Sequence, residues 1–188
     1  MEEHDDGEVL RAERLWIESR GGSEWLSRYV RPFYMNWMRE NPTHRDASVA
    51  QIPELRARAF ELDLDEISAM LSMQWRIQVV ATWCAIARAD SRLSGAVHNG
   101  FAHCYGTLTA PALITAALVY PNVTTATALR AYRECDNENK YGGHGLVSAA
   151  LRRISAEAPL AAPTEDDGTL VRLLEISHQL QQLSEPGR

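Results

Sequence analysis

The densest run of groups able to do chemistry lies between residues 134 and 144. Glu134, Asp136 and Glu138 alternate with Cys135, Asn137 and Asn139, and Lys140, Tyr141, a Gly-Gly pair and His144 follow. Carboxylates interleaved with amides suit a hard cation such as calcium. The register does not. Counted from Asp136, the sixth position needs a glycine and holds Tyr141, and Leu146-Val147 stands where the closing glutamate belongs. Two readings remain. One is a solvated loop from about Asp136 to Gly145 joining two helices. The other is a ligand or partner loop whose contact residues are Glu134, Asp136, Glu138, Tyr141 and His144.

A second group is aromatic. Trp25, Tyr29, Phe33, Tyr34 and Trp37 fall at helical spacing, and with Trp16 they make six of the fourteen aromatic residues. Rings at this spacing form a core, because they bury the largest areas. They also line small-molecule pockets, with the polar tips of Tyr29, Tyr34 and Trp37 orienting a ligand. Buried tyrosine hydroxyls need partners in either case.

His98, His103 and Cys104 are metal-ligand types close together in sequence. On a helix His98 and His103 stand about 140° apart, and His98 and Cys104 about 240°. Three ligands cannot converge from one straight helix at those angles, so no metal site is assigned. Nucleophile-elbow, phosphate-loop and zinc-protease motifs are all missing. No catalytic residue and no cofactor is assigned.

The elements that must position these groups read as helices. Three segments carry a similar apolar phrase, starting at Val79, Leu113 and Leu146, spaced 34 and then 33 residues apart. A period near that length predicts stacked helix pairs. The expectation is an all-α single domain of antiparallel helix pairs in a solenoid-like, HEAT-like array. Its three equivalent rods are Trp75–Cys84, Ala110–Tyr120 and Gly145–Ile154. Ala110–Tyr120 is apolar on nearly every side and is expected at the centre.

Residues 1–7 read as an acidic tail and 8–155 as the helical domain. Residues 156–168 read as an Ala/Pro/acid linker, and 169–184 as an amphipathic C-terminal capping helix. Gly21-Gly22 ends a first helix, with Ser23 as the next cap. Pro32 breaks or kinks the aromatic helix, and Asp63 with Glu66 has capping-box spacing. Residues 42–53 read as an irregular connection.

The formal charge is −6, which disfavours a nucleic-acid backbone and leaves a basic protein partner open. Eighteen of nineteen basic residues are arginine, Lys140 being the one lysine, and 25 residues are alanine, a bias of GC-rich coding. Cys84, Cys104 and Cys135 lack metal or redox spacing, which suits a reduced, cytoplasmic protein. The start Met1-Glu2-Glu3-His4 has no apolar signal region, and the longest apolar run, 11 residues, falls short of the roughly 20 a membrane span needs.

The phrases Arg28-Tyr29-Val30-Arg31-Pro32-Phe33-Tyr34, Trp75-Arg76 with Trp83, Leu108-Thr109-Ala110-Pro111-Ala112-Leu113 and Ala128-Leu129-Arg130-Ala131-Tyr132 resemble an uncharacterised helical family. It is common in actinobacteria and known as domain of unknown function number 6000. The resemblance covers about residues 25 to 155 and rests on packing residues and turns. It implies a fold and a source, and it transfers no activity. Small helical proteins of this kind also look similar to immunity proteins of bacterial toxin systems.

Three functions follow as expectations. The first is a non-catalytic helical binding protein, monomer or weak dimer, of immunity type in its most concrete form. The second is a small-molecule binder or enzyme using the aromatic N-terminal face. The third is a structural subunit that assembles through its last helix.

Overall fold

A computed structural model describes residues 6–104, 106–155 and 163–182. The expected tail over residues 1–5, most of the expected linker (156–162) and the last expected helical residues (183–184) lie outside the described residues.

Helix α1 (Asp6–Ser19) stops at Gly21-Gly22, where φ is +109° and +60°. These angles suit glycine and not larger residues. Gly22, not Ser23, takes the capping position of α2 (Ser23–Tyr29), without a side-chain bond. Pro32 then splits the aromatic run as expected, and α3 (Tyr34–Trp37) starts beyond it. The stretch expected to be irregular holds two short helices, α4 (Asn41–His44) and α5 (Asp46–Ala50), before α6 (Ile52–Glu61). Pro42 and Pro53 each sit in a first turn, where a missing N–H costs nothing. Asp63 and Glu66 form the expected capping box of α7 (Leu64–Met70).

The core is built on α8 (Trp75–Arg88), in which every residue from Ile77 to Ala87 is buried. After α9 (Ser94–Gly100) comes α10 (Ala110–Val119), buried from Ala110 to Ala117. Then follow α11 (Thr125–Asn139), α12 (His144–Ile154) and α13 (Glu165–Gln182). All regular elements among the described residues are helical.

The three apolar phrases lie on α8, α10 and α12, and α10 packs against α8 and against α12. Small residues such as Ala112, Ala116 and Ala117 keep α10 thin enough to be covered on several sides. Helix α13 lies against α12, α10 and α8, and also touches α4 and α6. In a solenoid each unit meets only its neighbours. Contacts of α13 that cross the array do not reproduce that nearest-neighbour pattern. The helix also starts at Glu165, inside the segment 156–168 expected to be linker. Thr164 and Asp167 explain this start, because their side chains bond each other's backbone N–H and so hold the first turn.

Two tryptophans fix the N-terminal region to the core. Trp37 and Trp83 are both fully buried with ring centroids 5.0 Å apart, and Trp83 Nε1 donates to the Trp37 carbonyl at 2.9 Å. No helix among the described residues is long and apolar enough to cross a membrane.

Candidate functional site

The expected polar loop is mostly helix. α11 runs to Asn139, so Glu134, Asp136 and Glu138 are helical and only residues 140–143 turn the chain. Asp136 is not a contact residue. It is 1% exposed and organises the turn from inside. Its Oδ1 accepts the Gly143 N–H at 2.8 Å and the Tyr132 hydroxyl at 3.1 Å. Its backbone carbonyl accepts the N–H groups of Lys140 and Tyr141. A carboxylate fed by backbone and hydroxyl donors replaces the water it lost on burial.

Two glycines let the turn close. A Cβ on Gly143 would stand 2.8 Å from Tyr132 Oη and 2.9 Å from Asp136 Oδ1. Gly106 has φ +57°, and a Cβ there would meet Tyr141 Cβ at 2.7 Å. The 106–108 turn therefore packs directly on Tyr141. Nearby, Cys104 Sγ lies 3.2 Å from Thr109 Oγ1. Burial pushes the Cys104 thiol and the Tyr132 phenol up, away from their ionised forms.

This clasp leaves Glu134, Glu138, Tyr141 and His144 exposed. Tyr141 keeps 43% of its surface open. The result is an internally bonded end of the α11–α12 hairpin that presents two carboxylates, a phenol and an imidazole beside the exposed Lys140. Among the described residues no three or more His, Cys, Asp or Glu are grouped to hold a metal ion.

The aromatic group divides. Trp37 is fully buried, and its Nε1 donates to Gln51 Oε1 at 3.1 Å. It belongs to the core and not to a binding face, because its ring is covered by Trp83 and its N–H is satisfied internally. Tyr34 is half-buried, edge-on to Trp75 at 5.6 Å, with the Arg76 guanidinium 5.5 Å from its ring centre. Tyr29 is half-buried and lines a surface depression of about 500 Å³ with Trp25, Leu62, Arg20, Glu61 and Glu66.

Sequence spacing gave no sign of the last three: Arg20 sits in the turn after α1, and Glu61 and Glu66 arrive from α6 and α7. Their polar groups satisfy one another. Arg20 pairs with Glu66 at 2.6 Å, and Arg28 with Glu61 at 2.8 Å. The Tyr29 hydroxyl donates to Glu61 at 3.0 Å. Burial works to raise the Glu61 carboxyl, but the bonds from Tyr29 and Arg28 and the Arg58 charge outweigh it and hold the group below its ordinary value. Burial, then the bond to Glu61, raises the Tyr29 phenol.

His98 and Cys104 serve local structure. His98 Nδ1 lies 3.2 Å from Asn122 Nδ2, and its Nε2 lies 3.1 Å from Thr125 Oγ1. The amide must donate to Nδ1, so the network assigns the proton to Nε2 of a neutral ring. His98 thus braces the start of α11.

Compared with family models, with curated proteins and with solved structures, the chain returns no match.

Proposed function

We propose that this is a non-catalytic helical binding protein that presents the end of its α11–α12 hairpin to a basic protein partner. The observation that carries the reading is the Asp136 clasp. One buried carboxylate, bonded to Gly143 and Tyr132, holds a four-residue turn in place while Glu134, Glu138, Tyr141 and His144 stay exposed. A contact surface ordered before binding loses little conformational entropy on association. Tyrosine beside carboxylates suits a partner with arginine or lysine on its surface. The formal charge of −6 favours the same class of partner through long-range attraction.

Neutralisation of a bacterial toxin, as by an immunity protein, is the most concrete form of this proposal. The family resemblance joins it as a proposal about fold and actinobacterial source alone.

The experiment is a pull-down from a lysate of the source organism with the wild-type chain and with the E134K/E138K/Y141A variant. A basic protein retained by the first and lost by the second supports the reading. Equal retention by both refutes it. For the toxin version, co-expression with the product of a neighbouring toxin gene must restore growth with the wild type and not with the variant.

A second reading rests on the depression beside Trp25 and Tyr29. Its volume of about 500 Å³ suits a small organic ligand. Four of its charged side chains are already paired, Arg20 with Glu66 and Arg28 with Glu61, so a ligand there would rely on the two rings and on displacing an arginine. A metabolite that raises the melting temperature of the wild type but not of Y29A would favour this reading over the first.

A further inference from the structure

We propose that the seam between α11 and α12 is a binding site for a small, multiply charged phosphate ligand, held by Arg130, Arg133 and Arg152. The proposal does not depend on the protein-binding reading, since it concerns other residues and another class of ligand.

The seam contains a pocket of about 260 Å³ lined by Arg130, Arg133, Ser148, Leu151, Arg152 and Ser155. The helical repeat explains the convergence. Arg130 and Arg133 are one turn apart on α11, Ser148, Leu151 and Arg152 mark one face of α12, and Ser155 follows as its C-cap. The two helices pack closely and are joined by a turn of four residues, so these faces meet.

The charge pattern is the reason to expect a ligand. The chain has 25 acidic residues against 19 basic ones. Its ion pairs among the described residues run through Arg14, Arg20, Arg28, Arg58, Arg92 and Arg152. Arg130, exposed, and Arg133, half-buried, have no carboxylate within ion-pair distance among the described residues; other arginines share this, but these two converge with Arg152 on one pocket. Guanidinium groups gathered on one concave surface repel one another, and an anion placed between them turns that repulsion into attraction.

Arg152 is built for a second acceptor. Its bonds to Asp167, both 2.9 Å, and to Thr164 all leave from Nη2. The Nε and Nη1 groups carry no bond among the described residues. Asp167 is in turn held by the Thr164 hydroxyl and N–H, each at 2.7 Å. Asp167 therefore orients the guanidinium and leaves part of its fork free. The Ser148 and Ser155 hydroxyls make no hydrogen bond among the described residues and add two small donors, and Leu151 forms an apolar floor. The lining offers donors almost alone. Two open guanidinium forks, the free side of a third and the hydroxyl donors match the several oxygens of a phosphate or diphosphate group better than a single carboxylate.

Calorimetric titration at constant ionic strength tests this, with pyrophosphate, ADP, inorganic phosphate and citrate as probes. Pyrophosphate and ADP should bind one per chain, inorganic phosphate more weakly. Citrate, a carboxylate of similar charge, should bind at least about tenfold more weakly than pyrophosphate. The R130Q/R133Q variant should lose at least about tenfold in pyrophosphate affinity with an unchanged helical spectrum, and R130K/R133K should fall between. Amide resonances of residues 148–155 in the wild-type chain should shift on titration, a readout that needs no variant. The proposal is overturned by the absence of saturable pyrophosphate binding, by equal affinity in R130Q/R133Q, by citrate binding as tightly as pyrophosphate, or by shifts that spare residues 148–155.

Discussion

Arg56 Nη1 donates to the Leu180 carbonyl at 2.9 Å and to the Ala87 carbonyl at 3.2 Å, so one buried guanidinium closes the C-terminal ends of α8 and α13 together. Arg56 is 6% exposed and sits over the Phe60 ring at 4.8 Å. The last turn of a helix leaves carbonyls without partners and carries partial negative charge. Two such ends facing one cation stabilise a charge that burial would otherwise penalise.

Replacing Arg56 with methionine keeps much of the packing and removes these bonds. The expected loss is about 2–4 kcal/mol, from charged hydrogen bonds and stranded carbonyls. Urea unfolding measured against the wild type checks it. A loss under about 1 kcal/mol, the size of a neutral surface bond, would show that the helix ends are satisfied without Arg56.

A chain ending at Ser155 should fail to fold as a monomer. It removes Leu170, Leu173, Ile176 and Leu180, all buried on a helix that packs on α8, α10 and α12. Each buried leucine or isoleucine contributes about 1.5–3 kcal/mol, which together is comparable to the whole stability of a domain. Sizing and circular dichroism should find aggregate or a non-cooperative state. A soluble, cooperatively folded monomer would instead assign α13 to assembly.

Gly143→Ala should cost about 1–3 kcal/mol, because its Cβ would push into Tyr132 Oη and Asp136 Oδ1. Asp136→Ala should cost a similar amount by leaving a buried N–H and hydroxyl unpaired. Hydrogen exchange at residues 140–143 should speed up in both variants. Unchanged protection there would separate the turn from the carboxylate.

Acid should weaken the α10–α11 junction through His98. Burial lowers its pKa below the ordinary value near 6.5, and among the described residues no acidic group bonds to it. Below about pH 6.5 the unfolded chain takes up a proton that the folded chain resists, so stability is full above that pH and falls as pH drops toward the folded pKa. Melting curves between pH 5 and 8 should show this slope in the wild type and a shallower one in His98→Gln. Parallel curves for the two proteins would remove His98 as the cause.

The three thiols should separate by rate. Cys135 is exposed on α11, Cys104 is half-buried, and burial raises Cys84 to about 12. Since the thiolate is the reacting form, Cys135 should be labelled fast, Cys104 slowly and Cys84 only on unfolding. Mass spectrometry of a timed alkylation checks the order.

The candidate site was partly legible. Residues 134–144 stood out by composition, and four of the five expected contact residues there are exposed. Asp136 is the exception, because a carboxylate in a polar run reads as solvated until its partners are known, and the fold buries it. Its helical neighbour Tyr132 was one clue, four residues earlier on the same face, and Gly143 was not. Trp37 and Tyr29 share one helical pattern in sequence, yet one lies in the core and the other beside a depression. The difference comes from Trp83 and Glu61, which arrive from α8 and α6.

By itself the sequence determined the all-helical class and several helix starts and stops, though not α4, α5, the last turn of α11 or the start of α13. Apolar spacing, the Gly21-Gly22 stop, the Pro32 break and the Asp63–Glu66 box are local, and backbone sterics with hydrogen bonding act within a few residues. The tertiary structure alone decided that α13 crosses the array, that Arg56 bonds a helix end 124 residues further along the chain, and that Arg130, Arg133 and Arg152 share one pocket. Those outcomes depend on which buried surfaces and charges come together across long stretches of chain, and no short-range pattern encodes that pairing.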